Sequence, residues 1–230
     1  MSLHTRRGLL NWGRTLGTSA SRSAGNWWRK SRELFTPLDP IIVEEPAEPA
    51  SAVGKRTRMY RTMQLNQFGA SQLGWYTSRI YKGRYHYEEV EDICGVPSAV
   101  VGTIHGLECG FSFDAHLHNG DPLARKTVQV PRGRPMAASW TWETSAADAM
   151  RYDQLDKVDW TNLEEALYAL EAYNGLGYER YHPECNSPYL WSGCQHYDRG
   201  KYVADGKWSP TAISGQLGAA VILHAIGWNL

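Results

Sequence analysis

Glu108 is the residue whose position in the sequence most favours acid–base chemistry. It ends a predicted helix that begins at Pro97, since proline suits a first helical turn, and Gly110 can terminate that helix. Val101, Ile104 and Glu108 share one face, so the carboxyl group lies on an apolar stripe. Partial burial and the negative end of the helix dipole both disfavour ionisation. A carboxylic acid kept protonated near neutral pH can protonate a glycosidic oxygen, whereas a solvated helix-terminal Glu would have no such role.

A second candidate group lies at the end of another predicted helix. Thr161 and Glu164 have capping-box spacing, which predicts a helix start, and Gly175 is expected to end the helix. Tyr173 and Asn174 fall in its last turn, with Asn174 on the apolar stripe. A buried amide needs a hydrogen-bond partner or a cleft, so this helix end is a candidate binding site.

Several segments, taken in chain order, resemble one family. The run 104–108 followed by Phe111 and Ser112 resembles the catalytic-glutamate helix of the lysozyme superfamily, especially soluble lytic transglycosylases and their phage relatives. The run 172–175 is similar to the Ala-Tyr-Asn-Ala-Gly motif of that group. Other segments resemble phage-encoded lysozyme-like proteins, at 116–123, 130–135, 187–193 and 200–206. The resemblance covers roughly residues 96–223 in the expected order.

The resemblance implies a mainly α, lysozyme-like α+β fold that cleaves peptidoglycan between N-acetylmuramic acid and N-acetylglucosamine. Glu108 would be the catalytic acid. The residues expected to contact the sugar are His105, His118, Asn119, Tyr173, Asn174, Tyr189 and Trp191. Tyr189 and Trp191 could instead pack in the core, and these two alternatives stay open. For His118 the alternative is a polar position in a loop. Two features depart from the family pattern: Cys109 follows the Glu where Ser is usual, and the Gly-Leu-Met-Gln motif is replaced by 118–121.

Asp121 decides between two reactions in this interpretation. A second carboxylate facing the acid across the bond would activate water, as in an inverting hydrolase. Without one, Glu108 would act as acid and then base, and the 6-hydroxyl of muramic acid would attack to give a 1,6-anhydro product. The Asn-Gly-Asp-Pro context of Asp121 equally predicts a turn.

Rival chemistries rest on cysteine and histidine. Cys109 follows a helix C-terminus, where the dipole opposes thiolate formation, so a cysteine peptidase or amidase is disfavoured. A zinc site is an alternative, although its spacing fits no common finger; its ligands would be His182, Cys185, Cys194 and His196. A disulfide between Cys185 and Cys194, or free thiols, are the other options. We expect no metal and no cofactor.

Charge and hydropathy exclude some classes of protein. The chain has 230 residues with 24 basic and 24 acidic side chains, and this balance argues against a dedicated nucleic-acid binder. Its longest apolar run, 219–223, is far too short to cross a bilayer. No secretory signal opens the chain, so we expect synthesis in the host cytoplasm.

The N-terminal quarter differs from the rest in composition. Residues 1–32 carry seven basic side chains and no acid, 33–50 are rich in acid and proline, and 55–61 form a second basic cluster. Such blocks bury little apolar surface, so we predict an extended arm at 1–62 and a catalytic domain at 63–230. We expect the arm to dock onto virion or tail proteins. The alternatives are an interfacial segment that touches anionic lipid or nucleic acid, a flexible tail, and an organellar transit peptide. The preferred hypothesis is a phage virion-associated enzyme acting on the host wall. A free endolysin or a non-catalytic wall-binding or structural module are the alternatives.

The elements that would position these groups are mostly helices, with a small or minimal sheet. Besides the two helices above, we predict helices over 84–94 and 143–155. A third prediction is a buried central helix from Pro210 to about Ile226, which is apolar nearly all round.

Overall fold

The computed structural model describes residues 53–204 and 206–228. In this part of the chain the structure is mainly helical with one two-stranded antiparallel sheet, so the coarse fold prediction is confirmed. The helices are α1 Lys55–Arg61, α2 Gln67–Cys94, α3 Ser98–Cys109, α4 Trp142–Tyr152, α5 Leu163–Asn174, α6 Gly177–Tyr181, α7 Pro188–Trp191 and α8 Ala219–Ala225. The strands are β1 Lys201–Ala204 and β2 Lys207–Ser209, with Tyr202 opposite Trp208. No helix in the described residues has the length and apolarity needed to span a membrane.

Helix α3 forms the centre of the core. It packs against α2 on one side and α8 on another, and α4 packs on α2. Close packing depends on two glycines one turn apart in α3. A Cβ at Gly102 would lie 2.9 Å from the Tyr87 ring, and one at Gly106 would lie 2.5 Å from the Phe111 ring. The small residues therefore let aromatic rings from both flanks approach the α3 backbone.

Helix α2 is much longer than the sequence predicts. The prediction of a helix over 84–94 is confirmed at its end, where Gly95 takes a left-handed conformation, but α2 begins at Gln67. Its buried positions include Tyr76, Ile80, Gly83, Tyr87 and Val90, which follow alternating steps of four and three residues. Several of these core positions hold tyrosine or glycine instead of aliphatic residues, so the helical periodicity of α2 is difficult to recognise in the sequence.

Helix α3 matches its predicted bounds to within one residue, while two other predictions need correction. The helix predicted from Pro210 exists only as α8, because 210–218 is irregular and Gly218 starts α8 from an extended conformation. The cap of α5 is Asn162 and not Thr161, since the Asn162 side chain accepts from two N–H groups of the first turn. The helix predicted over 143–155 is α4, which ends at Tyr152 before a 3-10 turn at Leu155–Lys157.

The predicted boundary between arm and domain at residue 62 is wrong, because α1 belongs to the compact domain. Tyr60 is 2% exposed and donates its hydroxyl to the Trp228 carbonyl at 2.6 Å. Arg56 Nε donates to Glu171 at 2.8 Å. The partners of α1 lie more than a hundred residues away along the chain, so the local sequence does not show them. Without those partners, the basic composition of α1 predicts a solvated segment. Residues 1–52 of the predicted arm lie outside the described residues.

Removal of α1 is expected to destabilise the domain. A chain that starts at residue 63 lacks the buried Tyr60 ring and the Arg56 ion pairs, so we expect a loss of about 3 kcal/mol and a Tm lower by roughly 6–12 °C. The matched control is a chain that starts at residue 53, which keeps α1. Equal melting temperatures for the two truncated proteins, measured by circular dichroism, would contradict the assignment of α1 to the domain.

Candidate active site

Glu108 lies in the last turn of α3 and is the one residue of that helix that is not buried. The other eleven positions, from Ser98 to Cys109, pack into the core. Gly110 then turns the chain away in a left-handed conformation with φ 54°. A carboxyl group at the single accessible point of a buried helix is partly shielded from water, as the sequence predicted, and it can still be reached by a ligand.

Tyr189 connects Glu108 to the predicted binding residues. Its hydroxyl donates to Glu108 Oε1 at 3.2 Å. Its ring centroid lies 6.3 Å from that of Tyr173, at an interplanar angle of 40°. Burial, with the nearby Glu108 and Tyr173 groups, raises the pKa of Tyr189 well above its ordinary value, so the phenol stays a donor. The ends of α3 and α5 therefore meet through a side chain of α7.

A cavity of about 670 Å³ opens beside this cluster. Tyr173, Asn174 and Gly175 line one wall, and Asp153 and Gln154 line another. Its volume lies in the range of ordinary small-ligand sites. Asn174 thus lines a cleft, and a cleft is one of the two surroundings that its position on the apolar stripe left open.

Gln216 reaches the same helix end and was missed by the sequence analysis, which placed it inside a helix. Its Nε2 donates to the Leu107 carbonyl at 2.5 Å, one residue before Glu108. This contact holds the irregular segment 210–218 against the end of α3. A second cavity of about 380 Å³ lies along that segment, between Phe68, Tyr197 and Ser214. No local pattern in the sequence could have paired Gln216 with a carbonyl 109 residues away.

Asp121 occupies the turn that was one of its two predicted roles. It is 4% exposed, and its carboxylate accepts from the backbone N–H groups of Val128 at 2.8 Å and Gln129 at 2.9 Å. The side chains of Asn119 and Gln129 also donate to it. Burial by itself would raise the pKa of Asp121, but these hydrogen bonds hold it below its ordinary value. A buried carboxylate with both oxygens occupied is poorly suited to activate water, so its geometry favours the turn over the predicted catalytic role.

Asp121→Asn is expected to loosen this loop, because an amide NH₂ would face N–H donors. We expect a loss of about 2 kcal/mol at pH 7. The folded-state pKa is depressed, so this stabilisation is present above the unfolded value of about 4 and is lost as the pH falls through the folded value. Urea unfolding of both proteins from pH 7 downward tests this: the difference should shrink in acid. A difference that stays constant with pH would contradict the role of the charge.

His105 is a core residue, and its predicted contact with substrate is wrong. It is completely buried, with Nδ1 2.9 Å from the Tyr87 hydroxyl. Its ring lies 4.5 Å from Trp142 and 4.6 Å from Phe113, centroid to centroid. Burial lowers the pKa of His105 to about 3, so the imidazole is neutral and acts as a packing group.

His118 and Asn119 stabilise the 116–135 loop, which leaves neither side chain available to a sugar as predicted. His118 is 1% exposed and its Nε2 lies 2.7 Å from Asp148, a carboxylate that Arg134 also binds. Burial lowers the pKa of His118 to about 4 despite this neighbour. Asn119 is equally buried and bonds to Asp121 and to the Gln129 carbonyl.

Trp191 belongs to the core, so its predicted stacking on sugar is also wrong. It is 2% exposed and lies in the same short helix as Tyr189. The two side chains have different neighbours: the Tyr189 hydroxyl binds Glu108, whereas the Trp191 ring packs in the hydrophobic core. Residues two positions apart on a helix do not share a face, and the sequence alone did not show which of the two side chains would be buried.

The zinc and disulfide alternatives find no support in the geometry. All four cysteines are free thiols, and no cluster of three or more potential ligands occurs among residues 53–204 and 206–228. His182 stacks on Trp208 with ring centroids 3.6 Å apart, while His196 pairs with the Met59 carbonyl. Cys109 is fully buried, and its thiol donates to the His116 carbonyl at 3.6 Å, which does not suit an accessible nucleophile.

Comparison with known proteins adds no family assignment. No family model matches the chain, and neither the curated proteins nor the solved structures contain a significant match.

Proposed function

We propose that this chain is an enzyme of the lysozyme type that cleaves the glycan strands of peptidoglycan, with Glu108 as the general acid. The observation that carries the proposal is the arrangement around that carboxyl group. Glu108 is the one residue of α3 that is not buried, and it accepts a hydrogen bond from Tyr189. The Tyr189 ring in turn lies beside Tyr173, which lines a cavity. The lysozyme-like character of the fold is part of the same proposal.

The proposed reaction begins with proton transfer from Glu108 to the oxygen that bridges two sugars. As the bond from the anomeric carbon to that oxygen breaks, positive charge develops on the sugar ring. The 6-hydroxyl of the muramic acid then attacks the anomeric carbon and returns its proton to the Glu108 carboxylate. No water is consumed, and the product carries a 1,6-anhydro ring. The buried and fully hydrogen-bonded state of Asp121 favours this single-acid route.

Hydrolysis is the second candidate reaction, and Asp153 is the observation that favours it. Asp153 lines the same cavity as Tyr173 and Asn174, and its charge contributes to the raised pKa of Tyr189. A carboxylate on that wall could accept a proton from water as the water attacks the anomeric carbon. The two candidates thus share Glu108 and differ in the group that receives the second proton.

Mass spectrometry of muropeptides tests the function and separates the two reactions. Purified sacculi are incubated with the full chain, and the soluble products are analysed. Anhydro-muramic ends support the single-acid route, and reducing muramic ends support hydrolysis. Released peptides with intact glycan, or no soluble product from an enzyme shown to be folded, would overturn the proposal. The matched variant is Asp153→Asn, which should suppress reducing ends and leave anhydro ends unchanged.

The biological setting that we propose is a phage particle, with residues 1–52 as the segment that docks onto virion or tail proteins. A free endolysin and a non-catalytic module are the competing settings. A particle assembled with a chain that starts at residue 53 should lack the enzyme, while the truncated protein should still cleave sacculi. Normal incorporation of that truncated chain would contradict docking through residues 1–52.

A further inference from the structure

The outward side of α2 carries an unusual set of aromatic and basic side chains. Trp75 and Tyr85 are each 41% exposed, and Tyr81 is 37% exposed. Three cations lie between and beside these rings. We call this surface the α2 strip, and its members are Trp75, Arg79, Tyr81, Lys82, Arg84 and Tyr85. Large exposed aromatic groups clustered on one helix face commonly mark a binding surface.

The two arginines of the α2 strip are held in place by its rings. The Arg79 guanidinium lies 4.1 Å from the Trp75 ring centroid. Arg84 lies 4.0 Å from the Tyr85 ring and 4.5 Å from the Tyr81 ring, and it donates to the Tyr85 hydroxyl at 2.6 Å. Cation–π contacts of this kind fix a side chain without neutralising its charge. The arginine side chains therefore lose less conformational entropy when an anion binds to them.

The α2 strip carries a net positive charge, although Glu88 interacts electrostatically with Arg84 at one end of it. No acidic residue occurs in the sequence from 49 to 87, although the whole chain is balanced. The acids of α2 all lie in its last two turns, beginning at Glu88. Within the described part of the chain, no carboxylate forms an ion pair with Arg79, Lys82 or Arg84. This surface therefore presents positive potential to a negatively charged partner.

One end of the α2 strip contacts the segment that follows Glu108 in the chain. The Trp75 ring centroid lies 5.2 Å from that of Phe111, which follows Glu108 by three residues. From Trp75 to Tyr85 the helix extends about 15 Å at the usual rise per residue. A polymer bound along the α2 strip would therefore contact the protein over about this length.

We propose that the α2 strip binds the carboxylate-bearing stem peptides of peptidoglycan, outside the cleft in which the glycan bond is cut. This inference rests on the proposed function, which supplies a polyanionic polymer as the substrate. Its role is to retain the enzyme on the wall between cleavage events. An anionic lipid surface or a nucleic acid is the competing partner for such a surface, and each is an outcome of the test.

Co-sedimentation with purified sacculi tests the inference. The full chain carries Glu108→Gln to prevent digestion, and the test variant adds Arg79→Gln, Lys82→Gln and Arg84→Gln. The matched control adds Lys157→Gln, Arg199→Gln and Lys207→Gln, which remove three exposed cations elsewhere. We expect the test variant to bind sacculi about tenfold more weakly at ~0.1 M salt, and the control to bind as the parent does. Sacculi whose carboxylates have been converted to neutral amides with a carbodiimide and glycinamide should bind all three proteins equally.

The competing outcomes are distinguishable. Equal sedimentation of test variant and control would overturn the inference, as would a loss of binding that persists on the amidated sacculi. The parent is also tested for binding to vesicles that contain anionic lipid and to duplex DNA. If either of these binds the parent more tightly than sacculi do, and does not bind the test variant, the α2 strip is assigned to that partner. This result would overturn the wall-binding role. Digestion of sacculi by the chain without Glu108→Gln is measured separately. Cleavage with no effect of the α2 substitutions would leave the proposed function standing and remove only this inference.

Discussion

Glu108→Gln is expected to lower the rate of glycan cleavage by roughly 10²–10⁴-fold, because the amide has no acidic proton to give to the bridging oxygen. The amide keeps the shape of the carboxyl group, and its carbonyl oxygen can still accept from the Tyr189 hydroxyl. We therefore expect the Tm to change by no more than a few degrees. Release of soluble muropeptides per unit time is the measurement, with melting followed in parallel.

Two control variants separate the acid from its surroundings. Glu165→Gln removes a carboxyl group on α5 that lines the cavity beside Tyr173, and it should leave the rate nearly unchanged. Tyr189→Phe keeps the acid but removes its donor, so we expect a smaller fall than for Glu108→Gln. A Glu108→Gln protein that is folded and cleaves at the rate of the parent would refute the assigned role of Glu108.

Gly69→Ala should strongly destabilise the protein, although it adds only a single methyl group. A Cβ at this position would lie 2.0 Å from the carbonyl oxygen of Gly193 and 2.9 Å from its carbon. Backbone atoms cannot rotate away as a side chain does, and Gly193 is itself confined to a left-handed conformation with φ 101°. We expect about 3 kcal/mol of destabilisation in chemical unfolding.

The same helix provides the control for this prediction. Gly74 lies in the interior of α2, and a Cβ there would meet no atom within 4 Å. Gly74→Ala should stabilise the protein by roughly 0.5–1 kcal/mol, because alanine restricts the unfolded chain and favours the helix. The two substitutions should therefore have opposite signs. If both lower stability by the same amount, the close contact between α2 and Gly193 is not the cause.

Several local features of the fold could be predicted from the sequence. The bounds of α3 follow from Pro97 and Gly110, and the end of α5 follows from Gly175. Such signals act through the backbone conformation of one or two residues, so no distant partner is needed to read them. The position of Glu108 at the edge of an apolar helix followed from the same local information.

Other features depended on segments far apart in the chain. Helix α1 looked like part of a charged arm, yet Arg56 pairs with carboxylates that lie 108 to 123 residues away. The region before α8 looked helical, but Gln216 is held instead by the Leu107 carbonyl. The composition of a segment indicates how it would behave when exposed to water. It does not show which other part of the chain will pack against that segment after folding.

The sequence by itself determined the mainly helical class, the extent of α3, and a partly shielded acid at its end. Only the tertiary structure decided which polar residues face that acid. Tyr189 reaches Glu108 across 81 residues of chain, whereas His105 and Asp121, though closer in sequence, are enclosed by aromatic rings and loop amides. The physical reason is that helix periodicity and end signals are local, while burial and hydrogen-bond partners depend on the whole packed chain.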